Sequence, residues 1–117
     1  YRAKAEAVRM AEVYRKEFAI AECPSDVESP TVLAAQAANE LLDISGIKAS
    51  FVLTIYEGKI YMSARSIDEV NVQIVAEKLG GGGHINAAGA QFDHTDMEEA
   101  IKALKQTIDK MIEEGDI

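Results

Sequence analysis

The sequence is short of several features, and each shortage narrows what the protein can be. Cys23 is the single cysteine, so no disulfide can close within the chain and a disulfide-stapled secreted scaffold is excluded. No apolar run approaches the ~20 residues that cross a bilayer, and the first residues show no signal-peptide pattern. A cytosolic location is therefore expected. Basic charge is scarce: 12 Lys and Arg stand against 20 Asp and Glu, for a net charge of -8. Non-specific nucleic-acid surfaces work by neutralising phosphates with Lys and Arg, so no large nucleic acid is expected as a partner. A small anion would need a local cluster of donors working against the overall field.

Motifs are missing as well. There is no G-x-x-x-x-G-K-[ST] phosphate loop, no internal repeat and no low-complexity linker apart from one glycine run. Asp93-His94-Thr95-Asp96 looks like a metal-ligand cluster, yet two of its members fall in a helix cap and no further His or Cys stands nearby to complete a site. No metal is assigned to this chain. Cys23 has no adjacent histidine to activate it and reads as a small buried group rather than a nucleophile.

What is present describes one globular domain over residues 1–117, with 48% hydrophobic and 27% charged residues, enough to bury one core. Apolar spacing predicts a helix over Arg2 to Glu17, with residues 1–16 reading as a connector from a longer protein because the helix has no leading cap. Phe18 to Ala21 suits a buried strand. Ser29-Pro30 supplies a cap and a first-turn proline for a helix running to about Ile44, stopped near Gly46. Phe51 to Tyr56 and Lys59 to Ser66 form a hairpin through Glu57-Gly58. On its second strand Ile60, Met62 and Ala64 face one side while Tyr61, Ser63 and Arg65 face the other. Asp68 is the expected cap of a helix ending at Leu79, closed by Gly80. Ala90 to Phe92 reads as a strand, and Thr95 to Glu98 as the capping box of a final helix. The pattern implies an α+β fold, a small mixed sheet with a central hairpin packed against four helices.

The candidate chemistry lies at Gly80, Gly81, Gly82, Gly83 and His84. Four glycines are costly to order, and the flanks, apolar on both sides, favour an ordered loop of backbone donors, with a tether or tight packing as the alternatives. A helix ends there, however, and its negative pole disfavours an anion, so side-chain donors must help. Arg65 offers a permanently charged planar fork. Ser63 shares its strand face and Ser66 follows at the strand end, so three donors can converge; an ordinary solvated strand is the alternative. His84 can hydrogen-bond a phosphate or move a proton, or serve as a local hydrogen-bonding residue. Asn71 and Gln73 could touch a base or sugar, or simply form a solvated helix edge.

Ser63-Ala64-Arg65-Ser66, Asn71-Val72-Gln73 and Gly80 to His84 followed by Ala87-Ala88-Gly89 together resemble the DHH-associated domain. This is the carboxyl-terminal half of the DHH phosphoesterases, which include RecJ-type exonucleases, nano-oligonucleotide hydrolases and cyclic-di-AMP phosphodiesterases. Ala34 to Leu42 and Gly46 to Phe51 look most like the GdpP type, and the resemblance covers nearly the whole chain. It implies the substrate-binding half of a manganese-dependent phosphodiesterase that opens cyclic di-AMP to linear pApA. Short linear oligonucleotides or 3′-phosphoadenosine 5′-phosphate are the alternative substrates, and a non-catalytic nucleotide sensor is the alternative class. Carried onto matching positions, Ser63, Arg65, Ser66, Asn71, the four glycines and His84 would contact the nucleotide, with His84 as an assistant and no catalytic residue assigned. Two manganese ions are expected in a DHH domain of the same parent chain, which would be membrane-anchored. The Asp-His-His triplet is absent here, so the chain alone is expected to be inactive. A homodimer is compatible with the resemblance.

Overall fold

Alternation along the central hairpin sets up the whole architecture. In the computed structural model, which describes residues 2–117, β3 (Ala49–Tyr56) and β4 (Lys59–Ser66) pair antiparallel from Ala49 opposite Ser66 to Tyr56 opposite Lys59. Glu57 and Gly58 both sit at positive φ, 51° and 78°, the two-residue turn whose twist matches the flanking strands. Phe51, Leu53, Ile60, Met62 and Ala64 are all buried on one face. Burying a side chain such as Phe51 or Leu53 contributes roughly 1.5–3 kcal/mol. Ser50, Val52, Thr54, Tyr61, Ser63 and Arg65 point to the other face.

Four further strands extend this pair. β2 (Phe18–Glu22) runs parallel to β3, β1 (Glu12–Tyr14) pairs antiparallel with β2, β6 (Ala87–Phe92) with β4, and β5 (Gly82–His84) with β6. The spatial order is β1-β2-β3-β4-β6-β5. On the first face, α3 (Val72–Lys78) contributes Val72, Val75 and Ala76, and α4 (Met97–Glu114) contributes Ala100, Leu104, Ile108 and Met111. On the second face, α1 (Arg2–Arg9) brings Ala7 and α2 (Pro30–Leu41) brings Ala34, Ala37, Ala38 and Leu41 against Ala19, Ala21 and Val52. The expected mixed α+β sandwich with a central hairpin and four helices is thus what the chain forms. None of the described helices is long and apolar enough to cross a membrane.

Several boundaries differ from expectation, each for a local reason. The first helix stops at Arg9 instead of continuing to Glu17, because Glu12 to Tyr14 pair with Phe18 to Ile20 across a turn at Arg15 and Lys16. Both turn residues are left-handed, at φ 55° and 72°, a conformation costing a non-glycine residue about 1–2 kcal/mol. Contacts with α4 offset that strain. The Tyr14 hydroxyl donates to both oxygens of Asp109 at 2.7 and 2.8 Å, Arg15 Nε donates to Oδ1 at 3.0 Å, and Lys105 reaches Glu12 at 2.9 Å. Tertiary partners nearly 100 residues away override the local helical period. Tyr1, where the connector reading begins, lies outside the described residues.

Caps shift by a residue or more. α3 is capped by Asn71, whose Oδ1 accepts from the Ile74 amide at 3.3 Å, and not by Asp68, which turns the chain at φ 55°. Asp96, not Thr95, caps α4 by accepting from Glu99 N–H at 2.8 Å. Ser29 holds the cap position of α2 without a side-chain bond. That helix ends at Leu41, since the amides of Leu42, Asp43 and Ile44 reach back only three residues, to Asn39, Glu40 and Leu41.

The Tyr14–Asp109 contact makes a pH prediction. Tyr14 foremost, then Arg15, holds the Asp109 carboxyl below the usual carboxylate range, partly opposed by desolvation. A depressed folded pKa contributes stability that is present above the unfolded value of about 3.9 and lost as pH falls through the lower folded value. Urea melts of wild type and Asp109→Asn should therefore converge as the medium is acidified through that range. Parallel curves would exclude the linkage.

Candidate functional site

The second sheet face is covered over only part of its width. Its buried cluster reaches across β2 and β3 as far as Val52. Beyond it α2 also lies against β4, and the outward positions of β4, β6 and β5 include Tyr61, Ser63, Arg65, Ala87, Gly89, Gln91, Gly82 and His84, mostly small or polar groups that offer too little apolar area to hold a further helix. Register aligns them in rows. Ser50, Arg65, Ala87 and His84 form one row, and Val52, Ser63, Gly89 and Gly82 the next. With strands about 4.8 Å apart, Arg65 and His84 flank Ala87 from opposite sides. A depression of about 370 Å³ lies along this surface, lined by Thr31, Tyr61, Ser63, Gly81, Gly89 and Gln91 among others.

The glycine run is not a loop, as expected from sequence, but a helix stop running into an edge strand. Gly80 adopts φ 92° and its amide donates to Glu77 O at 3.1 Å, while the Gly81 amide donates to Ala76 O at 2.7 Å. These are the two bonds of a Schellman stop. The first two glycine amides are therefore committed to the last carbonyls of α3, which also relieves the unfavourable helix-end field. They contact the cleft by lining it, not by donating N–H groups to it.

Each glycine can be asked why it has no side chain. Gly80 needs its positive φ. At Gly81 a Cβ would lie 2.0 Å from Gly89 O, and at Gly83 it would lie 2.5 Å from Ala88 Cα, so both are required by the close approach of β5 to β6. Gly89 has Met62 O at 2.9 Å from its would-be Cβ. Gly82 differs: its φ is not positive, and a Cβ there would meet nothing within 4 Å. Its opposite number is Gly89, on the open face. Neither backbone angle nor packing within the fold calls for a glycine here.

Around this bare floor the polar groups divide into two sets. Arg65 is partly buried, its Nη1 donates to the Ala64 carbonyl at 2.9 Å, and it enters none of the ion pairs among the described residues. Its guanidinium therefore keeps donors that no carboxylate among the described residues engages. Ser63 and exposed His84 stand on the same face. Ser66 does not join them. Strand alternation turns it inward, where its hydroxyl donates to Val70 O at 2.6 Å, lies 3.2 Å from Ile85 O, and accepts from Asn86 Nδ2 at 2.9 Å. The expected convergence of three donors from β4 thus reduces to two. Asn71 is spent as the α3 cap.

Sequence reasoning missed Asn86, which ties the β5–β6 turn to the end of β4 and thereby fixes where His84 stands. It also missed Thr31, Tyr61 and Gln91 as lining residues. An Asn at a turn was the only local signal; the others come together only through strand register.

Residues 16–113 match the model of the DHHA1 domain. The chain belongs to the DHHA1 domain family. It is 45% identical over 103 residues to the cyclic-di-AMP phosphodiesterase PdeA of Listeria monocytogenes serotype 1/2a (strain 10403S), covering 87% of this chain and 16% of the relative. It is 40% identical over 118 residues to the cyclic-di-AMP phosphodiesterase GdpP of Bacillus subtilis (strain 168), covering 98% of this chain and 18% of the relative. The chain therefore spans less than a fifth of these relatives. Among solved structures, an exopolyphosphatase-related protein from Bacteroides fragilis matches with a TM-score of 0.82 at 26% identity, over 94% of this chain and 34% of that one.

The different reasons for the DHHA1 glycines predict different mutational costs. Gly81→Ala should destabilise by about 3 kcal/mol or more, since backbone must move to admit the methyl. Gly82→Ala should stay within about 0.5 kcal/mol of wild type. Chemical denaturation of the two variants checks this contrast, and equal costs would remove the distinction.

Proposed function

We propose that this DHHA1 domain is the substrate-binding half of a manganese-dependent phosphodiesterase that hydrolyses cyclic di-AMP to linear pApA. The observation that carries the proposal is the pairing of an ion-pair-free Arg65 with a sheet floor left bare at Gly82. The activity for which PdeA and GdpP are named supports the choice of substrate.

In this reading the phosphodiester lies against Gly82 and Gly89, where no Cβ holds it away. Arg65 binds its oxygens through the guanidinium fork and Ser63 donates one further hydrogen bond. His84, across Ala87 from Arg65, contacts the same phosphate from the other side and assists in orienting it. Ser66, Asn71 and Asn86 position these groups without touching substrate. Gly80, Gly81 and Gly83 bring the edge strand to the cleft.

The manganese ions do not fit this chain: no group of three or more His, Cys, Asp or Glu stands together among the described residues. They belong to a DHH domain of the same parent. The domain's contribution is grip and orientation, the part of catalysis that converts a bimolecular encounter into a fixed geometry.

Calorimetric titration of cyclic di-AMP tests the assignment. Arg65→Ala should weaken binding about tenfold or more, as expected for loss of a charge-assisted hydrogen bond. Gly82→Val should abolish binding while the urea midpoint stays near wild type. Wild-type affinity in both variants would sink the proposal, and a preference of the parent enzyme for linear over cyclic substrate would replace cyclic di-AMP with a short oligonucleotide.

A further inference from the structure

The open face continues past Ser63 to an end with different chemistry. Tyr61 and Gln91 stand directly opposite each other in the β4–β6 pair, on the side of the sheet that carries Ser63 and Gly89, and both line the depression. The Tyr61 ring is partly buried and meets Tyr56 in an edge-on contact, with centroids 6.0 Å apart and planes at 63°. A ring held in this way is a stacking surface that loses little entropy when a base lies on it.

Gln91 is oriented as well. Its Nε2 donates to Asp93 Oδ1 at 3.0 Å, and Asp93 is itself drawn towards Lys59 at 4.0 Å. An ionised carboxylate only accepts, so the amide nitrogen must face Asp93. The carbonyl Oε1 is then the acceptor that the carboxamide presents elsewhere. Along β4, Ser63 stands two positions on from Tyr61, about 7 Å of strand, and Arg65 lies as far again. A phosphate gripped at Ser63 and Arg65 thus places the attached nucleoside towards Tyr61.

Resting on the nucleotide reading above, we propose that the Tyr61–Gln91 end is where the cleft reads the base: it takes a purine, stacks it on Tyr61, and accepts a hydrogen bond from the purine's exocyclic amino group at Gln91 Oε1. A purine lacking that group keeps the stacking and loses the bond. A sugar phosphate without a base engages only the Ser63–Arg65 end.

Three probes separate these contributions in ligand-observed NMR titrations of the chain: adenosine 5′-monophosphate, purine riboside 5′-monophosphate, which lacks only the amino group, and ribose 5-phosphate. Wild type should bind adenosine monophosphate about fivefold more tightly than purine riboside monophosphate, the worth of one neutral hydrogen bond. Gln91→Leu should bring that ratio to about one. Tyr61→Ala should weaken both nucleotides about fivefold or more and leave ribose 5-phosphate unchanged, while Tyr61→Phe should retain nucleotide binding. Thermal melts of each variant check that the substitutions leave the fold intact.

Equal affinity of wild type for the two nucleotides overturns the reading of the amino group. A Tyr61→Ala variant that loses ribose 5-phosphate in step with the nucleotides overturns the division into two ends. If ribose 5-phosphate binds and Arg65→Ala weakens it, either result counts against the base-reading end alone. If ribose 5-phosphate binds wild type and Arg65→Ala equally, or does not bind at all, the phosphate site fails and the base-reading end fails with it.

Discussion

The approach of β5 to β6 is closer than side chains allow, and the working surface depends on it. At Gly81 and Gly83 the neighbouring backbone stands where a Cβ would be, at 2.0 and 2.5 Å. This contact keeps a three-residue strand attached at the edge of the sheet, and it puts His84 on the same face as Arg65. It also leaves Gly82 facing outward with nothing over it. The chain-entropy cost of four glycines, of the order of 0.5–1 kcal/mol each, is offset at Gly81 and Gly83 by an approach that no side chain permits and at Gly80 by a positive φ that glycine adopts without strain. The fourth glycine costs the same entropy without that return, so its explanation must lie outside the fold.

A second asymmetry follows from how the sheet's two faces are filled. Large apolar residues from β3, β4, α3 and α4 make a continuous core on one face. The other core is built mainly of alanines from α1 and α2 and is confined to β2 and β3. Small residues let α2 lie close to the sheet, with the Ser50 hydroxyl donating to Ala38 O at 2.6 Å, but they give no apolar area to extend the layer. The open surface over β6, β5 and the part of β4 that α2 leaves free is the remainder of that arrangement. A surface of this kind is rigid because its reverse side is the main core, so the polar groups on it are held in place.

Much of this was legible in the sequence, and what was not has a common physical cause. Period-two alternation on Lys59 to Ser66 correctly separates the buried Ile60, Met62 and Ala64 from Ser63 and Arg65, because that signal is local. The same rule, followed one step further, turns Ser66 inward; grouping it with its neighbours on grounds of polarity overrode the geometry. The strand at Glu12 to Tyr14 could not be read, since it depends on Asp109 and Lys105 at the other end of the chain. Helical spacing there was real, and tertiary contacts outweighed it. The glycine run showed its conformational freedom but not its use: that Gly81 and Gly83 serve packing and Gly82 does not emerges only from the register with β6. Gln91 and Tyr61 were hidden for the same reason, being 30 residues apart in sequence and opposite in space.

The acidic balance, which first argued against nucleic acid, does not argue against a nucleotide. Fields between exposed charges fade over about 8 Å at physiological salt, whereas a guanidinium fork such as that of Arg65 acts at hydrogen-bonding distance. The net charge of -8 therefore penalises phosphates according to where they fall. Those within reach of Arg65, Ser63 and His84 meet donors, and each further phosphate of a long strand meets a surface with 20 carboxylates and 12 basic groups, half of the latter already engaged in the six ion pairs. Length is what such a surface selects against. A compact ligand that keeps its phosphates within the cleft gains the local contacts and avoids the global cost, so local attraction and overall repulsion together favour a small nucleotide over a polymer.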